Sequence, residues 1–179
     1  MLVTSKWLNN ELDNPNLIIL DASQQNKQNN LENKQIKGAR YFDLKTDFSD
    51  NNSPFPNTFP SIKQFENSCR KLGINNTSLI VVYDKMGVFS SPRVWWMFKT
   101  MGHKHINVLD GGLPDWLKNN FKTEIPSKKK NALGNFKAVF NSTNIKYYNF
   151  LKKMQPQIKL WLLMLVHRIG FWELFLNQE

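Results

Sequence analysis

The stretch from Leu79 to Trp116, LIVVYDKMGVFSSPRVWWMFKTMGHKHINVLDGGLPDW, constrains the fold of this chain more than any other. Leu79 to Tyr83 is a short apolar run rich in β-branched residues, the composition of a strand buried on both faces. Ser91 is placed as a helix N-cap with Pro92 in the first helical position, where proline's missing N–H costs no hydrogen bond. Val94, Trp95, Phe98 and Met101 then recur at helical spacing on one face. Gly102 is the expected C-cap, with Lys99 and His103 near the negative end of the helix. Ile106 to Leu109 reads as a second buried strand, closed by the tight turn Asp110-Gly111-Gly112. Together they make a βαβ unit, which implies parallel pairing of its two strands.

The preceding chain repeats that grammar. Thr4 or Ser5 is expected to cap a short helix through Leu12, with Trp7, Leu8 and Leu12 facing inward, until Asn14-Pro15 breaks it. Leu17 to Leu20 is a buried strand ending in Asp21-Ala22, and Gly38 to Phe42 a second short one. Gln24 to Gln35 and Thr46 to Pro60 are polar or proline-rich and read as irregular connections. Ser61 and Gln64 form a capping box for a helix that carries Ile62, Phe65, Cys69 and Leu72 on one face and stops at Gly73. Pro114 to Asn120 is a last helix. Strands alternating with helices give an α/β domain: a central, mostly parallel sheet flanked by helices on both faces. From Thr123 to Leu133 the composition shifts to Lys, Pro and Ser, the pattern of a linker, and Phe136 to Phe140 alternates like an edge or inter-domain strand.

Composition removes several function classes. The net charge of +10, from 24 Lys and Arg against 14 Asp and Glu, invites a nucleic-acid or membrane reading. The basic residues are nearly all Lys and scattered, apart from Lys128 to Lys130, and no nucleic-acid-binding motif accompanies them, so neither partner is expected. One cysteine is incompatible with a disulfide framework or a multi-cysteine zinc site. The first residues lack the basic and apolar regions of a signal peptide, and Leu160 to Val166 is too short to span a bilayer; a soluble cytoplasmic protein is expected.

The chemistry-bearing residues are few. Cys69 lies in mid-helix on the apolar face, where a small hydrophobe is expected rather than the exposed, electropositive site of a reactive thiol. His103, His105 and His167 have no acidic or cysteine partners at ligand spacing, so no metal is expected, and capping or surface roles suit them. Asp110 fits a turn role, holding a turn N–H or a neighbouring arginine. There is no G-x-S-x-G elbow, G-x-G-x-x-G loop or P-loop. The loop Asp84 to Ser90 is the one site-shaped position, because α/β sheets place their sites at the carboxyl ends of strands beside helix N-termini. It offers Asp84, Lys85 and serines, but no cysteine.

VVYDKMGVFSSPRVWWMFKTMGH and VLDGGLPDW resemble the N-terminal domain of two-domain rhodanese-like sulfurtransferases, the thiosulfate and 3-mercaptopyruvate sulfurtransferases. LVTSKWL (Leu2 to Leu8), LIILDAS (Leu17 to Ser23), IKGARYFDL (Ile36 to Leu44), SPFPNTFPS (Ser53 to Ser61) and KLGI (Lys71 to Ile74) follow in the family's order and spacing, so the resemblance covers residues 1–122. Asn57 stands where the family has a histidine. The resemblance implies a rhodanese-like α/β fold and tandem domains, of which only the second carries the persulfide-forming cysteine. Asp84, Lys85 and Ser90 then belong to the inactive counterpart of that cysteine loop, since a carboxylate cannot take up sulfane sulfur as a thiolate does. Arg93, Trp95, Trp96 and Asp110 match family positions at the functional edge and are expected to serve fold and inter-domain packing. No organic cofactor or metal is implied. The implied partners are a second rhodanese domain of the same gene product and, in the full-length enzyme, a small sulfur donor.

Beyond residue 122 the resemblance changes character. Residues 123–150 are expected to be a linker and the start of the second domain, which in the family opens like VVDARSxxRFxGTxPEPR. The chain instead ends WLLMLVHRIGFWELFLNQE. Codons compatible with these residues, read from the third base, give Val-Ile-Asp-Ala-Arg, then Ser-Ser-Asp-Arg, then Phe-Leu-Gly-Thr-Val-Pro-Glu-Pro-Arg. Residues 151–179 are therefore read as an aberrant hydrophobic tail produced by a frameshift between about Phe150 and Trp161, and the chain as the truncated, catalytically inactive half of a sulfurtransferase. The competing reading is an inactive rhodanese-like module that binds a partner or regulates.

Overall fold

A computed structural model describes residues 2–24, 34–127 and 131–146, together with Phe150 and Lys153. The chain divides into two compact units, Met1–Asn141 and Ser142–Glu179. In the second, a 3-10 turn at Ser142–Asn144 is described; apart from Lys153, the residues of the expected tail, 151–179, lie outside the described residues.

The first unit is built on a five-stranded sheet whose strands, β1 (Leu2–Val3), β2 (Leu17–Asp21), β4 (Arg40–Tyr41), β5 (Leu79–Tyr83) and β6 (Ile106–Leu109), lie in the order β1-β6-β5-β2-β4. Every pair in it is parallel, with Leu17 opposite Leu79 and Ile80 opposite Ile106. A separate antiparallel pair joins β3 (Gln35–Ile36) to β7 (Thr123–Glu124). The helices are α1 (Ser5–Asn10), α2 (Ile62–Lys71), α3 (Ser91–Thr100) and α4 (Gly112–Lys118). This is the doubly covered parallel sheet that the alternation of elements predicts.

Strand alternation divides the core into two halves. Ile18, Leu20, Ile80 and Val82 face one side and pack with Phe65 and Cys69 of α2 and Val94, Met97 and Phe98 of α3. Ile19, Val81, Tyr83 and Leu109 face the other, against Leu8 of α1 and Leu113 and Trp116 of α4. Such two-sided burial is why β2 and β5 read as unbroken apolar runs.

Local capping agrees with sequence chemistry at some ends and departs at others. Thr4 accepts from the Trp7 N–H at 3.2 Å, and Ser61 from the Gln64 N–H at 3.2 Å. The capping box at α2 is only half made, because the Gln64 amide reaches away to the Ser49 carbonyl at 2.8 Å and so pins the long irregular loop. Ile62, expected inward, is exposed, whereas Phe65 and Cys69 are fully buried. Trp95 is only half-buried beside the fully buried Val94 and Phe98. Gly73 and Gly102 end α2 and α3 in the left-handed region, at φ +70° and +84°, as C-cap glycines do.

The segment read as linker and edge strand instead packs on the first unit. Residues 131–141 form an extended strap, without strand pairing, along the C-terminal ends of α2 and α3. Gly134 N–H donates to the Arg70 carbonyl at 2.9 Å, Val139 to Met101 at 2.9 Å, and Asn141 to Thr100 at 2.7 Å. These are carbonyls that a helix end leaves without an intrahelical partner. Phe136 drops between Phe65 and Phe98, with ring centroids 5.8 Å from each, and is 1% exposed. The apolar alternation of Phe136 to Phe140 thus marks a strap with one face on helices.

The strap also corrects the expectation for His103. Rather than a surface cap, it is a buried ring packed edge-on to Phe98 and tilted against Phe136, its Nε2 donating to the Ser78 carbonyl at 3.0 Å. Burial holds its pKa below the ordinary 6.5, against the pull of the Ser78 carbonyl. The unfolded chain therefore binds this proton more readily, so the contribution of neutral His103 is complete above pH 6.5 and is lost as pH falls toward its folded pKa. Urea unfolding should show lower stability at pH 5.5 than at pH 7.5, a difference that His103→Gln reduces; an equal loss in both proteins would remove His103 as its source.

Candidate functional site

Asp84 follows the last residue of β5 and is 1% exposed, a carboxylate at the carboxyl edge of the sheet. One oxygen, Oδ2, accepts from the backbone N–H groups of Phe89 at 2.8 Å, Ser90 at 3.0 Å and Ser91 at 3.0 Å, and from the Ser91 hydroxyl at 2.7 Å. The other, Oδ1, accepts from the Met86 N–H at 3.0 Å. The loop from Asp84 to Ser91 therefore curls around its own first side chain.

This arrangement moves the helix cap. Ser90, not Ser91, is the N-cap residue of α3, and its side chain makes no capping bond. Its hydroxyl donates to the Ala22 carbonyl at 2.7 Å instead. The carboxylate of Asp84 satisfies the free N–H groups of the first turn and sits at the positive end of the helix dipole. Pro92 keeps its place in that turn, where an absent donor is no loss.

Both flanks of the loop are tied down. The Asp84 carbonyl accepts from the Leu113 N–H at 3.0 Å, which joins the loop to the start of α4. That approach requires glycine at 112: with φ at +55°, a Cβ there would lie 2.4 Å from the carbonyl oxygens of both Asp84 and Gly87. The Asp110-Gly111-Gly112 turn thus works through Gly112. Asp110 itself is exposed, and its N–H donates to the Val3 carbonyl at 2.9 Å.

On the other side, sequence reasoning missed a buried network around Asp21. It accepts from the Ser23 N–H at 2.9 Å, from the Ser23 hydroxyl, and from the Tyr83 hydroxyl at 3.1 Å. Tyr83 accepts in turn from the Ile36 N–H at 3.2 Å, and Ser23 Oγ from the Lys85 N–H at 3.0 Å. Burial, with Asp21 adjacent, pushes the Tyr83 phenol well above its ordinary pKa of 10.0, so it stays a donor. The available signal was an aspartate ending an apolar strand; which strand would lie beside it is not local information.

The remaining expected site residues scatter along α3. The Arg93 guanidinium donates to the carbonyl of Asn57, a residue held at φ +57°, which asparagine tolerates better than most. Burial lowers the Arg93 pKa, and its Nε and the indole N–H of Trp95 are buried without a partner. Trp95 lies 5.8 Å from the Lys99 ammonium, and Trp96 packs edge-on to Phe59 with centroids 5.1 Å apart. These are packing contacts of the outer helix face. Lys85 is half-buried at the loop entrance. Facing outward from the loop are Met86, Val88 and Phe89, 65%, 45% and 61% exposed.

Chemically, the loop is an anion cradle filled by its own carboxylate. Ser91 is fully buried and spends its proton on Asp84, so it is no nucleophile. Cys69 is 0% exposed within α2, and burial, with Glu66 nearby, pushes its thiol well above the ordinary value. A thiol so placed is unreactive. Among the described residues no group of three or more His, Cys, Asp or Glu could hold a metal ion, and no helix is long and apolar enough to cross a membrane.

The rhodanese-like domain family matches residues 4–119. The chain is 34% identical over 169 residues to a mitochondrial thiosulfate/3-mercaptopyruvate sulfurtransferase of Arabidopsis thaliana, covering 88% of this chain and 44% of that protein. It is 36% identical over 159 residues to a thiosulfate sulfurtransferase of Rattus norvegicus, covering 82% and 52%. The solved 3-mercaptopyruvate sulfotransferase of Escherichia coli superposes with a TM-score of 0.71 at 34% identity, over 78% of this chain and 55% of that one. The Saccharomyces cerevisiae Tum1 structure, at 23% identity and a TM-score of 0.71, shares the fold. The chain spans about half the length of the relatives it matches.

Replacing Asp84 tests whether the cradle depends on its charge. Asp84→Ala leaves several buried donors without an acceptor and should cost on the order of 3 kcal/mol in urea unfolding, with Asp84→Asn intermediate. A loss below about 1 kcal/mol would show the loop to be held by other contacts.

Proposed function

The chain belongs to the rhodanese-like domain family, and on that premise we propose that residues 1–122 with their packed strap are the non-catalytic N-terminal domain of a two-domain sulfurtransferase. The chain is homologous to rhodanese-type sulfurtransferases. One observation carries the finer reading: the cradle at the carboxyl edge of β5 is occupied by the Asp84 carboxylate, where a sulfur-carrying site needs a thiolate. The full-length protein would take sulfane sulfur from 3-mercaptopyruvate or thiosulfate onto a cysteine of the second domain as a persulfide. It would then pass that sulfur to cyanide or a thiol.

In this reading the present domain contributes surface rather than chemistry. Three exposed apolar side chains within four residues, Met86, Val88 and Phe89, stand at the edge where a second domain would close the cleft. Arg93, Trp95 and Trp96 stiffen the neighbouring helix, and the Gly112 turn fixes the loop's height. Residues 123–150 would lead into the second domain, and residues 151–179 are proposed to be a frameshift product. The A-rich codons expected for Lys152 and Lys153 offer a slip site.

The purified chain should show no sulfur transfer above background with thiosulfate or 3-mercaptopyruvate as donor and cyanide as acceptor. Measurable turnover that Cys69→Ser abolishes would overturn the assignment. The tail reading is decided by the gene's nucleotide sequence. The alternative frame should run on into a second rhodanese domain with a cysteine loop, and a stop codon or unrelated sequence there would end it.

A further inference from the structure

At the amino edge of the sheet, opposite the Asp84 loop, the strap and the turn before β6 border an open depression of about 280 Å³. Its wall is formed by Asn76, His103, Lys104, His105, Phe136 and Lys137, with Gly102 and Val139. Two lysines and two histidines thus line one depression, and among the described residues no Asp or Glu lines it. A third ammonium stands at the rim, since Lys99 Nζ donates to the Lys104 carbonyl at 2.7 Å. Like charges gathered in this way repel one another and lower the free energy of any anion placed among them.

The wall of the depression is held before any ligand arrives, while Lys104, His105 and Lys137 stand exposed around it. His103 is 5% exposed and fixed by the Ser78 carbonyl at 3.0 Å and by the flanking rings of Phe98 and Phe136. The backbone of Lys137 is anchored through its N–H to Asn76 Oδ1 at 2.8 Å, and Asn76 in turn donates its own backbone N–H to Asn135 Oδ1 at 3.1 Å. The His105 ring stands 6.3 Å from that of His103. At roughly 30 Å³ of liquid volume per water, the space takes a tetrahedral oxyanion with several waters to spare. Lysine ammonium groups donate charge-assisted bonds to such oxygens, and an imidazole N–H donates to them as well.

We propose that this depression binds a dianionic phosphoryl group, held by Lys104, Lys137 and His105 against the fixed wall of His103 and Phe136. It is separate from the Asp84 loop and independent of the sulfurtransferase reading, because it lies at the other end of the strands. The ligand is either free phosphate or the phosphate of a small metabolite.

Titration of the full 179-residue chain with inorganic phosphate at constant ionic strength, followed by amide and imidazole NMR resonances, tests it. Saturable shifts confined to residues 102–105 and 136–139 are expected, absent with matched sodium chloride. Lys104→Glu combined with Lys137→Glu should weaken binding at least about tenfold, and Lys137→Ala, on the exposed face of the strap, by a few-fold. Glycerol 3-phosphate binding more tightly than inorganic phosphate would support a metabolite, and equal affinity would support free phosphate. Shifts that do not saturate, that spread over the other lysines, that chloride reproduces, or that survive both charge reversals would overturn the proposal.

Discussion

The bonds between the Asp84 carboxylate and the N–H groups of Phe89, Ser90 and Ser91 are the interaction on which the functional edge of this domain depends. A carboxylate that is 1% exposed is costly to bury unless its oxygens are fully used. Here the cost is offset by donors that α3 would otherwise leave unsatisfied, so two unfavourable groups cancel. The same residue's carbonyl fixes the start of α4, and its loop is tied through Ser23 and Ser90 to the end of β2. One side chain and its peptide thus set the relative positions of β2, β5, α3 and α4 at the carboxyl edge of the sheet.

That geometry shows a cradle of N–H groups used for structure, since the carboxylate of Asp84 fills it. A ring of N–H groups at a helix N-terminus stabilises negative charge whatever atom bears it. With a thiolate in the ring, the result is a nucleophile; with the carboxylate of Asp84, it is a structural cap. The exposed Met86, Val88 and Phe89 are a consequence of the inward turn of Asp84: a tight loop that commits its N–H groups to the interior presents its side chains outward.

At the other end of the sheet the strap at residues 131–141 plays the corresponding part. It closes the C-terminal turns of α2 and α3, seals the aromatic cluster with Phe136, and buries His103. Gly134 permits this close approach, since a Cβ there would lie 2.1 Å from the Ile74 carbonyl oxygen. The first unit accordingly extends to Asn141 rather than stopping where the composition turns to Lys, Pro and Ser.

By itself, the sequence determined what periodicity and local chemistry determine. The β-branched runs of β2 and β5, the spacing of Val94, Phe98 and Met101, and the glycines at 73 and 102 dictated a parallel sheet covered on both faces. Cys69 was readable as a core residue because its neighbours on the helix face are apolar. The family was readable from motifs in order. Only the tertiary structure decided which groups meet across the chain. The cap of α3 comes from Asp84 rather than Ser91, and Gln64 leaves its capping box for the Ser49 carbonyl. Asp21 receives Tyr83, and His103 goes inside. The physical reason is common to all four: burial follows a short period along the chain, whereas the partner of a hydrogen bond is chosen by whatever donor or acceptor the folded chain brings within about 3 Å.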